Sequence, residues 1–225
     1  MIPAQNWYQK LTVQFADGTV EVLFLDMSLS GRHRPRPVRL PAQWTRLGFE
    51  KCSCCPLTME DYCPAAMSLE ETLLTVRAHQ SFEVVTATAM DAEQRTTSVQ
   101  WPLQQVGAAF VQIAVFCSGC PVGGRFRPML RDLRVFATGR ELSKHLVYKH
   151  LLQHRGDAAA SAQAVTAALE PLHAVFTGLF KRLQNVPKEA TQDAIPNSIV
   201  VMHSMTMLLG IHVDKLIAEI MAELR

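Results

Sequence analysis

The sequence predicts an α+β fold: two β-hairpins forming a small antiparallel sheet, followed by a mainly helical C-terminal half. Three observations carry this. Period-two alternation of apolar residues occurs twice before Pro102, each time around a turn-forming cluster. From Leu103 onward, apolar residues recur at three- and four-residue spacing. Helix-start signals punctuate that second region. The 225 residues are 48% apolar and 19% charged, which suffices for a normal core and excludes a disordered chain. The expected division is 1–156, an α+β domain holding the cysteine motifs, and 157–225, a helical hairpin packed on it or on a second subunit.

In chain order, Trp7, Leu11, Val13 and Phe15 share one face of a strand. Asp17-Gly18 reads as a two-residue turn, and Val20, Val22 and Phe24 resume the alternation. Residues 31–41, GRHRPRPVRLP, form a basic, proline-broken loop. A cysteine-rich loop spans 49–64. Ser68 with Glu71 reads as a capping box opening a helix to about Gln80. Phe82–Met90 and Arg95–Trp101 read as the second hairpin, around 91–94. Pro102 suits the first turn of a helix whose stripe is Leu103, Val106, Phe110, Ile113 and Cys117. Gly119 is placed to end it in a left-handed cap and Pro121 forbids continuation. A short amphipathic segment, Phe126–Ala137, precedes the capping box Thr138/Glu141, whose helix runs to about Arg155. Asp157 caps an Ala-rich helix to about Gln184, which Pro171 should kink or split. A final helix covers Asn197 to about Leu224. No internal repeat is present.

The N-terminus lacks a basic start followed by an apolar run, so it is no secretory signal. No stretch of eighteen apolar residues spans a membrane; Ile199–Val213 is too short and carries His203 and His212. The expectation is a cytoplasmic chain whose clustered thiols are metal ligands or redox groups rather than disulfides.

Four of the six cysteines are Cys52, Cys54, Cys55 and Cys63; the others are Cys117 and Cys120. Cys52-x2-Cys55 has the spacing of a metal knuckle, and Cys63 lies within reach of the same ion. A structural zinc site or a 4Fe-4S cluster needs four ligands, so the fourth comes from a distance. Cys117 continues a helix stripe and reads as a core thiol. Cys120 lies in the turn beyond Gly119 and can aim at a loop-borne ion. The favoured set is therefore Cys52, Cys55, Cys63 and Cys120, with Cys54 and Cys117 as additional metal or redox candidates. Cys55, Cys63 and Cys120 are each followed by Pro, which stiffens the backbone without choosing the metal. A redox dithiol would sit at a helix N-terminus, and the pair 117/120 sits at a C-terminus, where the dipole opposes thiolate.

The order C-x2-C-P-L (Cys52 to Leu57), C-P-A-A (Cys63 to Ala66), S-G-C-P (Ser118 to Pro121) and F-A-T-x-x-E (Phe136 to Glu141) resembles a bacterial family of unknown function. The resemblance covers about residues 1–155. Its repeated cysteines match Cys52, Cys55, Cys63 and Cys120, and it implies no reaction. The family's H-L-P-F before the last motif is Leu133-Arg134-Val135-Phe136 here, so a histidine role at that point is lost.

Other patterns are weaker. His145, His150 and His154 share a helix but lack an acidic partner, and read as a solvated helix end. His173, His203 and His212 read as isolated packing residues. The net charge of +2 hides basic segments at 32–46 and 125–140, in which Arg32, Arg34, Arg36, Arg125 and Arg127 could hold an anion or nucleic-acid phosphates. No recognised nucleic-acid motif accompanies them, and nucleic acid is the less favoured partner. The last helix is apolar on more than one face, through Leu208, Ile211, Ile217 and Met221, which favours a homo-oligomer built on the C-terminal helices. No nucleophile elbow, phosphate loop or dinucleotide motif occurs. The function expected is metal binding, with zinc first and an iron-sulfur cluster second.

Overall fold

The first turn uses three residues rather than two, and this sets which face of the sheet is buried. In the computed structural model, which describes residues 8–26, 40–90, 94–130, 133–186 and 193–223, β1 (Tyr8–Gln14) pairs antiparallel with β2 (Val20–Asp26). The N–H of Phe15 donates to Thr19 O and that of Gly18 to Phe15 O, with Gly18 at φ +87°. A two-residue turn at 17–18 would pair Val13 with Val22. The extra residue pairs Val13 with Glu21 and Leu11 with Leu23 instead. A one-residue slip exchanges the faces of a strand. Leu23 is therefore buried, and Val20 and Val22, expected inside, are exposed. Trp7 and the basic stretch 27–39, including Arg32, Arg34 and Arg36, lie outside the described residues.

The second hairpin, β3 (Val84–Met90) and β4 (Thr96–Pro102), joins the first through β1–β3 pairing, giving the order β2-β1-β3-β4. Val85, Ala87 and Ala89 point inward; Phe82 precedes the strand and is exposed. Between the hairpins, α1 (Pro64–Val76) starts at Cys63-Pro64, five residues before the expected Ser68. Proline at N1 loses nothing, because that N–H has no intrahelical acceptor. Ser68 falls inside the helix, where its carbonyl accepts from Thr72 Oγ1.

Pro102 is the last residue of β4 and the N-cap of α2 (Leu103–Cys117). The first free N–H groups of α2, from Leu103 and Gln104, are taken by the carbonyls of Glu83 and Ser81. α2 is buried almost all round rather than on one stripe, because it touches α1, β3, β4 and α6. A 3-10 turn (Gly123–Phe126) and the short α3 (Arg127–Leu130) lead to α4 (Gly139–Gln153). Thr138 and Glu141 cap α4 reciprocally as expected. Asp157 caps α5 (Ala158–Gln184) through Ala160 N–H.

α5 is not split at Pro171. Proline deprives the carbonyl four residues back, that of Ala167, of its donor, and Ala167 is exposed, so water can serve it. α6 begins at Ala194, three residues before the expected Asn197. Asp193 just before it accepts from Ser81 N and Oγ, and Asn197 donates to Ser81 Oγ. Met202, Leu209, Val213, Ile217 and Ile220 are buried along one stripe of the helix. At about 1.5–3 kcal/mol per fully buried aliphatic chain, such a stripe dominates the helix's hold on the core. α6 packs on α2, α4 and α5. By length and composition it could cross a membrane, which the sequence reading did not allow; 39% of its most apolar window is buried against the rest of the protein.

Candidate metal centre

The cysteine loop is closed at its neck by backbone bonds. Gln43–Thr45 makes one 3-10 turn. Cys63 N–H then donates to Thr45 O and Leu47 N–H to Asp61 O, at 2.8 and 2.9 Å. Arg46 and Tyr62 form an isolated antiparallel bridge. Inside the loop, Cys55 N–H returns to Cys52 O at 3.0 Å, the reversal that a C-x2-C spacing requires.

Three supports fix the individual thiols. Cys63 is the buried N-cap of α1. Cys120, also buried, sits in the turn after α2, where Gly119 takes φ +94°. Backbone N–H groups of Val122 and Gly123 donate to its sulfur. Gly123 has no alternative: a Cβ there would stand 2.1 Å from Val115 O. The third support is α5. Cys54 Sγ donates to Pro171 O at 3.2 Å, and Cys52 Sγ lies 4.0 Å from Val175 O. A Cβ on Gly178 would meet Cys52 Sγ at 2.7 Å, so a larger residue there would force the Cys52 side chain to shift.

The thiols act on one another electrostatically. Burial pushes Cys52 up to about 12, and the charges of Cys63, Cys120 and Cys54 push the same way while Arg182 opposes them. Burial likewise raises Cys120 to about 11, with Cys63 and Cys55 adding to it and the Gly123 and Val122 N–H bonds opposing. Cys54 is raised by burial and by Cys55, against Arg125. Cys63 and Cys120 both lie close enough to act on Cys52, and Cys63 and Cys55 close enough to act on Cys120. No disulfide links the six. Among the described residues, no three Cys, His, Asp or Glu side chains stand ready-made around a single point. Cys117 is half-buried against the core in the last turn of α2.

Arg182 was not foreseen. It is 1% exposed, the largest fully buried side chain. Nη1 donates to Trp44 O and Arg46 O at 2.7 Å each, and Nη2 to Leu47 O at 3.2 Å. Its Nε is buried without a partner, and it pairs with no carboxylate among the described residues. A signal existed: Val175, Gly178 and Arg182 share a buried row on α5 beside Leu172, Phe176 and Leu179. Of the other basic candidates, Arg125 is exposed, close enough to act on Cys54, and Arg127 is half-buried.

The histidines depart from their expected roles. His150 is buried, not solvated, and stacks on His154; burial holds its pKa below the usual range. His173 and His203 are a pair across α5 and α6, with ring centroids 5.6 Å apart. The exposed side of α6 presents Val200, Met207, Leu208 and Ile211. Beside it an apolar groove of about 680 Å³ is lined by Val200, Met205, Leu208 and Leu216, with Gly139 and Arg140 from α4.

Residues 11–225 match the family described as a domain of unknown function. The chain belongs to that family, DUF6901. The match runs through α5 and α6, well past residue 155 where the motif resemblance ended, and α5 is the helix on which the cysteine loop rests. No curated protein and no solved structure matches the chain.

Proposed function

We propose that the protein binds a metal ion through Cys52, Cys55, Cys63 and Cys120, as a structural zinc site joining the 49–64 loop to the 117–121 turn. The observation that carries this reading is that the Cys52–Cys55 reversal and the buried Cys63 and Cys120, from two segments far apart in sequence, come close enough for Cys63 and Cys120 to act on Cys52 and for Cys63 and Cys55 to act on Cys120. Burying several thiols together is unfavourable once any of them ionises, unless a cation offsets the charge. A bound divalent cation deprotonates its thiols outright, so the burial that raises Cys52 and Cys120 in the metal-free chain is overcome on loading. The two N–H groups on the Cys120 sulfur favour its thiolate, and hydrogen bonds to metal-bound sulfur are part of how such centres are tuned. Four thiolates close the tetrahedron and leave no position for a substrate.

Elemental analysis of anaerobically purified protein tests the reading. About one zinc per chain supports it. A brown protein absorbing near roughly 400 nm moves the same ligands to an iron-sulfur cluster, and metal-free, colourless protein that takes up neither removes it.

The exposed Val200, Met207, Leu208 and Ile211 support a second element of the reading, self-association through α6. Sedimentation of the wild type against Leu208→Asp checks it: a dimer that dissociates in the variant is expected.

A further inference from the structure

A guanidinium buried without a carboxylate needs a negative charge somewhere close, because an uncompensated internal ion is unstable by several kcal/mol in order of magnitude. The three carbonyl oxygens on Arg182 satisfy donors but carry no net charge. The nearest built feature is the seat of Cys52. Gly178, on which the Cys52 sulfur rests, is one helical turn before Arg182 and on the same face of α5. The carbonyls held by Arg182 flank Thr45, whose own carbonyl receives Cys63 N–H. One side chain therefore stands beside one proposed ligand and grips the turn that positions another, and its Nε remains buried without an acceptor.

We propose that Arg182 is the positioning residue and counter-charge of the cysteine centre: it offsets the negative charge that four thiolates bring to a divalent ion. This rests on the metal-binding reading. A four-thiolate divalent site carries two net negative charges, and Arg182 cancels one of them inside the protein. The same side chain ties α5 to the loop neck, so occupancy of the centre and docking of α5 are coupled.

The test uses the full chain and Co2+ as probe, because the sulfur-to-cobalt absorption reports thiolate coordination directly. Affinity is read by competition with a chelator, and metal-free thermal unfolding is followed separately. Wild type must first show the cobalt band; its absence refutes the metal reading itself, independently of Arg182. With the band present, Arg182→Met is expected to lose about tenfold or more in affinity, the usual range for outer-shell partners of a metal site. Arg182→Lys keeps the charge but loses the fork on three carbonyls, and is expected to bind more tightly than Arg182→Met and more weakly than wild type. Arg182→Met binding within about threefold of wild type, or Arg182→Lys binding no tighter than Arg182→Met, overturns the proposal. Should Arg182→Met fail to fold without metal, Arg182→Gln is read in its place by the same limits.

Discussion

The cysteine loop and α6 are held to the molecule by opposite means. α6 is thirty residues of regular helix secured by a broad apolar stripe. Its hold is spread over many side chains, none of which needs a particular partner. The segment from Gln43 to Cys63 has one short 3-10 turn, with Trp44 and Leu47 buried and Phe49 and Leu57 half-buried against the core. It is held by a few directional contacts: two neck hydrogen bonds, the Arg182 fork, and the fit of one sulfur over Gly178. Distributed apolar packing tolerates substitution, whereas a handful of specific contacts does not. The two regions should therefore respond differently to mutation and to metal.

The largest difference is expected at the centre itself. Cys120→Ser should lose the bound metal and, with it, several kcal/mol of stability, since the binding free energy of a structural site is folding free energy. Cys54→Ser should keep both, because a hydroxyl can still donate to Pro171 O. Metal content and thermal unfolding of the two variants check this, and the reverse pattern would reassign the ligands.

Next comes α6. Leu209→Ala should cost about 2–5 kcal/mol, the range for a buried leucine. That cost should be the same with metal and after chelation, measured by urea unfolding. A metal-dependent cost would mean the two regions are coupled more tightly than their contacts imply.

Gly178→Ala should cost about 1–3 kcal/mol by overpacking against Cys52, and should weaken zinc affinity while leaving the far-UV spectrum of α5 unchanged. Alanine favours helix over glycine, so a net stabilisation would show that Cys52 does not rest on α5.

The smallest effect is expected from pH. Burial lowers the pKa of both His150 and His203, with His154 and His173 as secondary causes. A group whose folded pKa is depressed binds fewer protons in the native state. Stability from these two is therefore fully present above their ordinary value of about 6.5 and declines as pH falls through it toward the folded values. Melting temperatures should fall modestly between about pH 7.5 and pH 5.5, and His150→Gln should flatten the change.

Local signals were legible in the sequence wherever a residue acts on its immediate neighbours. Thr138 with Glu141, Asp157 before Ala160, Gly119 after α2 and the two hairpins all lie where their patterns put them. The failures share a cause. The face of β2 turns on whether the Asp17-Gly18 loop has two or three residues, which the alternation alone does not distinguish. The start of α1 was a contest between two valid signals, Ser68 with Glu71 and Cys63-Pro64, and tertiary fixation of Cys63 by Thr45 O decided it. Arg182 looks like an ordinary cation near a helix C-terminus, where the dipole favours it. Only the carbonyls of residues 44–47, more than 130 positions earlier, turn it into a buried clamp. His150 was misjudged in the same way, since burial of a helix end depends on what packs over it.

The grip of Arg182 on Trp44, Arg46 and Leu47 also sets an order of events during synthesis. Chains fold from the N-terminus as they emerge, yet the cysteine loop cannot take its final seat until α5 is made. For most of translation the thiols are exposed, able to meet metal ions or oxidants before the clamp arrives. The window closes only when the residue that secures the loop has left the ribosome. A truncation before Arg182 would therefore strand this protein with its most reactive groups uncovered.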